Sequence, residues 1–209
     1  STAGYGAHVF AQFVQSSVIN PSQKWFNLTH KDPKINDGKR AAAWFASTRD
    51  KMLAVMRTSF YGPAGQAINA WTGFGNGPLL IEEVPQKREG LNRIRYTSIP
   101  WGSYVMAEGD DGKIDQFIRS LKLPAHQIVR MDGISNLSRD ITQAAEKDPL
   151  KEFEILHAII PGEMQFAKTK LKTNKDMPYA SMWIEKEKQN LIKESGYRKF
   201  PVAIARYDL

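Results

Sequence analysis

The residues best able to do chemistry in this chain are four histidines and one pair of adjacent aspartates. His8, His30, His126 and His157 lie far apart, and no two stand at i, i+3 or i, i+4. The spacing that puts two imidazoles on one helix face around zinc is therefore missing. Asp110 and Asp111 could form an acid–base or cation-binding pair, but Gly112 follows at once, between two alternating apolar runs. Those are the turn residues of a hairpin. His157 lies inside the apolar run Phe153 to Ile160 and reads as a core or interface histidine with satisfied nitrogens rather than a base. There is no Gly-x-Ser-x-Gly elbow and no convergent set of acid, base and nucleophile. With no cysteine, disulfides and cysteine-based metal sites are excluded. These observations point away from an enzyme and imply neither a metal nor a cofactor.

Phosphate chemistry needs a separate test. The stretch Trp71 to Glu83 carries Gly73, Gly75 and Gly77 at alternate positions. Phosphate-cradling loops run strand, glycines, helix, so that helix amides face the phosphate. Here helical sequence precedes the glycines and strand sequence follows, with no Gly-Lys-Ser/Thr. The three glycines are expected to form a structural joint that uses positive φ and close backbone approach. Net charge is +7, from 29 basic and 22 acidic residues. Phe166 to Phe200 concentrates the excess, with nine basic residues against four acidic, a net +5. Lys168, Lys170 and Lys172, with Arg93 and Arg95, are the candidates for weak, sequence-independent contact with DNA phosphates. The competing reading is a solvated basic face.

The elements that must hold these residues follow from periodicity. Val9 to Val18 reads as an amphipathic helix with Phe10, Phe13, Val14, Ser17 and Val18 on its core face. Asn20 to Leu28 reads as turn residues leading into a short strand. Its Trp25 and Phe26 could stack on bases, or pin the segment to the core. Asp37 is expected to cap a long helix from Gly38 to Phe60, striped with Phe45, Met52, Met56 and Phe60 and ended by Gly62 and Pro63. A second helix, Ala64 to Trp71, leads into the glycines.

From Pro78 onward the period changes to that of strands. Leu79 to Val84, Leu91 to Thr97, Trp101 to Glu108 and Ile114 to Leu123 are expected as strands. Helices are expected over Ala125 to Met131 and Arg139 to Lys147, the latter capped by Ser138. Phe153 to Ile160 reads as a buried strand. Ala167 to Lys175 reads as an exposed loop or edge strand. Ala180 to Glu187, Asn190 to Glu194 and Pro201 to Tyr207 are expected to complete a meander, with a turn at Ser195-Gly196. The expected class is α+β: N-terminal helices (residues 1–76) packed on a mainly antiparallel, meander-like sheet with short helices (77–209). At 209 residues and 42% apolar composition the chain can bury a real core, and no apolar run approaches membrane-spanning length.

The order of short motifs carries further information. Ser16 to Leu28 (S-S-V-I-N-P-S-Q-K-W-F-N-L), Ser59-Phe60-Tyr61, Phe74-Gly75-Asn76-Gly77 with Leu79 to Glu82, and Pro100-Trp101-Gly102-Ser103-Tyr104 follow one another. Asp111 to Asp115 (D-G-K-I-D), His157-Ala158 with Pro161, Met177 to Ser181 (M-P-Y-A-S), and Glu194 to Tyr197 with Phe200-Pro201 complete the series. In these motifs and their order the chain resembles the head-to-tail connecting (portal) proteins of short-tailed, podovirus-type phages. The resemblance departs at Ser103, where the family has glutamate, and at Tyr207, where it has tryptophan.

The resemblance implies a structural role in the wing of a portal subunit. Such subunits form a twelve-membered ring at one capsid vertex of the virion, assembled in the host cytoplasm. Double-stranded DNA passes through the ring without being read. Capsid, tail adaptor and packaging motor proteins are the implied partners. Family chains continue into stem and clip regions beyond the residue matched by Leu209, so a fragment or truncated form is expected. The alternative from charge alone is a stand-alone basic nucleic-acid-binding module.

Overall fold

The computed structural model describes residues 2–83, 94–162 and 177–206 of the chain, without the side chain of residue 58. It is an α+β fold in two units. One unit comprises the described residues up to Trp101 with Val202 to Arg206, the other Gly102 to Pro201. Three strands pack with the N-terminal helices in the first unit.

In the first unit, helix α1 (Thr2–Val18) precedes a short α2 (Pro33–Asn36), a long α3 (Lys39–Ser59) and α4 (Tyr61–Phe74). Strands β1 (Asn76–Glu83), β2 (Ile94–Ser98) and β8 (Val202–Arg206) form an antiparallel sheet in the order β2-β1-β8. Helix α4 is the hub, packing on α1, on α3 and on all three strands. Leu80 of β1, Leu53 of α3, and Ala64 and Ala67 of α4 are buried.

Several local expectations are corrected here. Helix α1 starts earlier than Val9, and Phe10 and Phe13 of its expected core face lie exposed. The buried residue is Ala11. No strand forms over Asn20 to Leu28. Trp25 nevertheless pins this segment: it stacks on Phe60 at 6.0 Å and donates from Nε1 to Tyr61 Oη at 3.1 Å. Asp37 ends α2 instead of starting α3. The cap is Asp32, which accepts from the Lys34 amide at 3.0 Å, and Gly38 opens α3. Helix α3 ends at Ser59, close to where Gly62 and Pro63 were expected to stop it, but these two residues also belong to the next helix. They sit in the first turn of α4, where a missing N–H costs nothing because those amides have no intrahelical acceptor.

The glycine joint divides into three roles. Gly73 is helical and has open space around it. Gly75 caps α4 in the left-handed region, φ 85°, and its amide donates to the Trp71 carbonyl at 2.8 Å. Gly77 lies where β1 runs against α4. A Cβ built there would overlap the Ala67 carbonyl oxygen and come within 2.8 Å of its carbon. Close packing of strand on helix thus needs a bare backbone at Gly77.

In the second unit, β3 (Tyr104–Glu108), β4 (Ile114–Pro124), β5 (Glu152–Pro161), β6 (Tyr179–Glu185) and β7 (Asn190–Tyr197) form an antiparallel meander in chain order. Asp110 and Asp111 lie in the β3–β4 turn. Helices α5 (Ala125–Val129) and α6 (Arg139–Lys147) intervene between β4 and β5. Ala125, Ile128, Ile141 and Ala144 from the helices bury against Phe153, Ile155 and Ile192 of the sheet. Ser138 caps α6 by accepting from the Ile141 amide, and its hydroxyl donates to the buried Glu185 carboxylate at 3.0 Å.

Two expectations are corrected in this part. Ser195-Gly196 is part of β7 and makes no turn. Gly196 sits close under Met177, where a Cβ would come within 2.8 Å of the Met177 Cβ. Strand β8 leaves the meander to pair with β1, Leu80 opposite Val202. The reading of Ala167 to Lys175 falls outside the described residues.

The roles at the joint are separable by substitution. Gly73→Ala should be neutral or stabilise by about 0.5–1 kcal/mol, as alanine favours helix over glycine. Gly75→Ala should cost roughly 1–2 kcal/mol for its left-handed backbone. Gly77→Ala should cost most, on the order of 2–3 kcal/mol or more, from overpacking against backbone. Urea denaturation of the three variants should give that order, and a Gly77→Ala protein as stable as the parent would contradict the close approach.

Candidate functional site

Of the candidate phosphate-contacting residues, Lys168, Lys170, Lys172 and Arg93 lie outside the described residues. Arg95 is described, in β2, with its side chain exposed. It faces Glu82 across the β1–β2 ladder, and its guanidinium donates to Glu82 Oε2 at 2.9 Å. The carboxylate is mostly buried, so part of the Arg95 charge is offset within the sheet. Gly73, Gly75 and Gly77 stand together at the α4–β1 joint as structural elements. Among the described residues no three or more His, Asp or Glu side chains gather as metal ligands would.

The most developed polar constellation among the described residues lies in the second unit, and of its members only His157 stood out from sequence pattern. Cross-strand register places Tyr104, Arg119, His157, Trp183 and Lys193 in one row across all five strands. His157 is fully buried and Arg119 nearly so. The Arg119 Nε–H donates to His157 Nδ1 at 3.1 Å. That nitrogen must then be the acceptor, so the ring proton sits on Nε2 and is donated to Ser181 Oγ at 2.9 Å. The imidazole stacks on Trp183, centroids 4.1 Å apart, with the Arg119 guanidinium 5.6 Å from the same indole. On the far side, the Lys193 ammonium stands 6.0 Å from that ring.

Burial, and then the positive charges of Arg119 and Lys193, hold the His157 pKa well below its ordinary 6.5. Both ring nitrogens are engaged and the ring is sealed from solvent. This arrangement locks three strands together and leaves His157 no free lone pair with which to act as a base. Single-sequence reading cannot find the row, because its members are brought together only by strand register.

Comparison with known proteins gives a coherent result. The family model described as "Bacteriophage head to tail connecting protein" matches residues 1–209. The chain is similar to the portal protein of Salmonella phage epsilon15, 26% identical over 212 residues. It is also similar to a probable portal protein of Bordetella phage BPP-1, 22% identical over 214 residues. Each alignment covers 100% of this chain and 37% of the relative, so the chain spans little more than a third of those relatives' length.

The buried imidazole makes stability depend on pH with a definite sign. Its folded-state pKa is depressed, so the unfolded chain takes up a proton first as pH falls. The contribution of neutral His157 is present above about pH 6.5 and is lost below it, at up to about 1.4 kcal/mol per pH unit until the folded-state pKa is reached. A His157→Gln variant should be less stable than the parent at pH 7.5 and show a shallower loss from pH 6.5 to 5. Urea midpoints across that range test this, and parallel curves for the two proteins would refute the assignment.

Proposed function

Since this chain belongs to the bacteriophage head-to-tail connecting protein family, we propose that it acts as the wing-like part of a portal subunit. Residues 1–76 supply the helical part of that wing and 77–209 its mainly β part. The polypeptide is a building block of a homo-oligomeric ring, dodecameric as in the resembled family. The ring sits at one capsid vertex of the virion and is assembled in the host cytoplasm. Double-stranded DNA is packaged and ejected through it, and capsid, tail adaptor and packaging motor proteins dock on it. The observation that carries this reading is the family match over all 209 residues. The two portal relatives, aligned over the whole chain, support it.

The physical character of the chain agrees with that task. A ring of one subunit type closes through heterologous contacts, which need blocks of fixed shape. Fixed shape is what close backbone packing at Gly77 and a doubly hydrogen-bonded, buried His157 supply. DNA that must slide calls for weak, screened, sequence-independent contacts. Arg95, with Lys168, Lys170, Lys172 and Arg93, fits that description. The role is mechanical and assigns no catalytic step to any residue.

Negative-stain microscopy and sedimentation of the native polypeptide that carries this sequence test the proposal. Closed rings are expected, and a strictly monomeric protein at every concentration would defeat it. Duplex DNA binding should be weak and steeply salt-dependent. Replacing Lys168, Lys170 and Lys172 by alanine should lower the log–log salt slope by about one per lysine that meets a phosphate.

A further inference from the structure

Helix α1 carries the largest concentration of exposed apolar side chains in the described fold. Its packed side is small and polar-edged. Ala11 is buried, and Gln15 reaches the Tyr61 carbonyl of α4 at 3.3 Å and lies over Gly65. The bulky residues lie elsewhere on the helix. Tyr5 is 73% exposed, Phe13 66%, Val18 57%, Phe10 49% and Val9 45%. Tyr5, Val9 and Phe13 stand at i, i+4 and i+8, one continuous stripe, with Phe10 beside it. None of the 17 residues of α1 is charged, in a chain where 24% of residues are.

Val18 lies apart, toward the Ala11 side; Tyr5, Val9, Phe10 and Phe13 together leave on the order of 400 Å² of mostly apolar surface exposed. That equals the largest patches on ordinary monomers, which mark interaction sites. It is also about half of the roughly 800 Å² that each partner contributes to a standard interface. The charge pattern selects the partner. A polyanion would seek cations, and α1 offers none. Two copies of a chain with net charge +7 repel each other, and they meet at least electrostatic cost where no charge must be desolvated.

We propose that the Tyr5–Val9–Phe10–Phe13 face of α1 is a subunit–subunit contact surface whose occupant is a neighbouring copy of this chain. This rests on the ring reading above. The contact is heterologous: α1 of one copy seats against a different surface of the next, because an α1–α1 pair would close as a dimer and leave no ring.

The test uses the native polypeptide with Tyr5→Lys and Phe13→Lys, singly and together. Both side chains are exposed in the subunit, so folding should be unaffected, and the thermal midpoint checks this. The concentration for half-assembly, read by sedimentation velocity, should rise at least about tenfold per substitution. Unaltered assembly of the double variant would overturn the proposal while leaving the ring reading intact. A parent that forms no ring would overturn both.

Because this sequence has no cysteine of its own, Val9→Cys places a reporter thiol on the proposed face, read against the parent polypeptide labelled in parallel. Its thiol should react freely with maleimide in the dissociated subunit and be protected in the ring. Protection already in the dissociated subunit would mean that the same polypeptide covers α1, and would overturn the proposal. Equal reactivity in both states would overturn it as well.

Discussion

The backbone of Gly77 against the carbonyl of Ala67 is the constraint on which the first unit depends. It sets the distance between α4 and the central strand of a three-stranded sheet, and α4 in turn supports α1 and α3. A helix and a strand usually meet through interleaved side chains. Here one point of contact is main chain on main chain, so the spacing has little freedom to relax. The left-handed turn at Gly75 delivers the chain to that point within three residues of the helix end. Geometry of this kind favours one fixed shape over a set of similar ones.

The second unit reaches rigidity by a different route. Its meander has only local connections, which alone would leave neighbouring strands free to slip by two residues. The row through Arg119, His157 and Trp183 removes that freedom. Arginine and histidine are matched donor to acceptor, histidine to serine likewise, and the indole stacks across both. Any slip would strand a buried cation and two buried ring nitrogens, each costly to leave unpaired. Polar groups in this core therefore act as register pins, while Ile128, Ile141, Phe153 and Ile155 supply apolar burial nearby.

Much of the architecture was legible in the sequence because it depends on local signals. Ser138 three residues before Ile141, and Asp110-Asp111-Gly112 between alternating runs, work through their own backbones, and those elements lie where they were expected. The change of period at the alternate glycines likewise marks the real passage from α4 to β1. Misreadings came where tertiary context outweighed local pattern. The apolar face of α1 looked like core, yet α4 accepts a smaller, alanine-lined side of that helix. Gly62-Pro63 looked like a stop, yet proline at the start of a helix is as acceptable as proline after one. Trp25, Phe26 and Leu28 suggested a short strand, but stacking on Phe60 and a bond to Tyr61 hold that segment without any ladder. The portal resemblance was legible for another reason: it lies in the order of motifs along the chain, which needs no geometry.

The return of β8 to the first sheet has a consequence for biosynthesis. Leu80 and Val202 are ladder partners about 120 residues apart, so the second unit is an insertion between two strands of the first. On the ribosome the meander emerges whole and can close on neighbours that are already present. The sheet around β1 has to wait, with one edge open, until its last strand has been translated. Of the two units, the one that holds the N-terminal helices is thus the later to complete, and its open edge is where a nascent-chain chaperone would have most to guard.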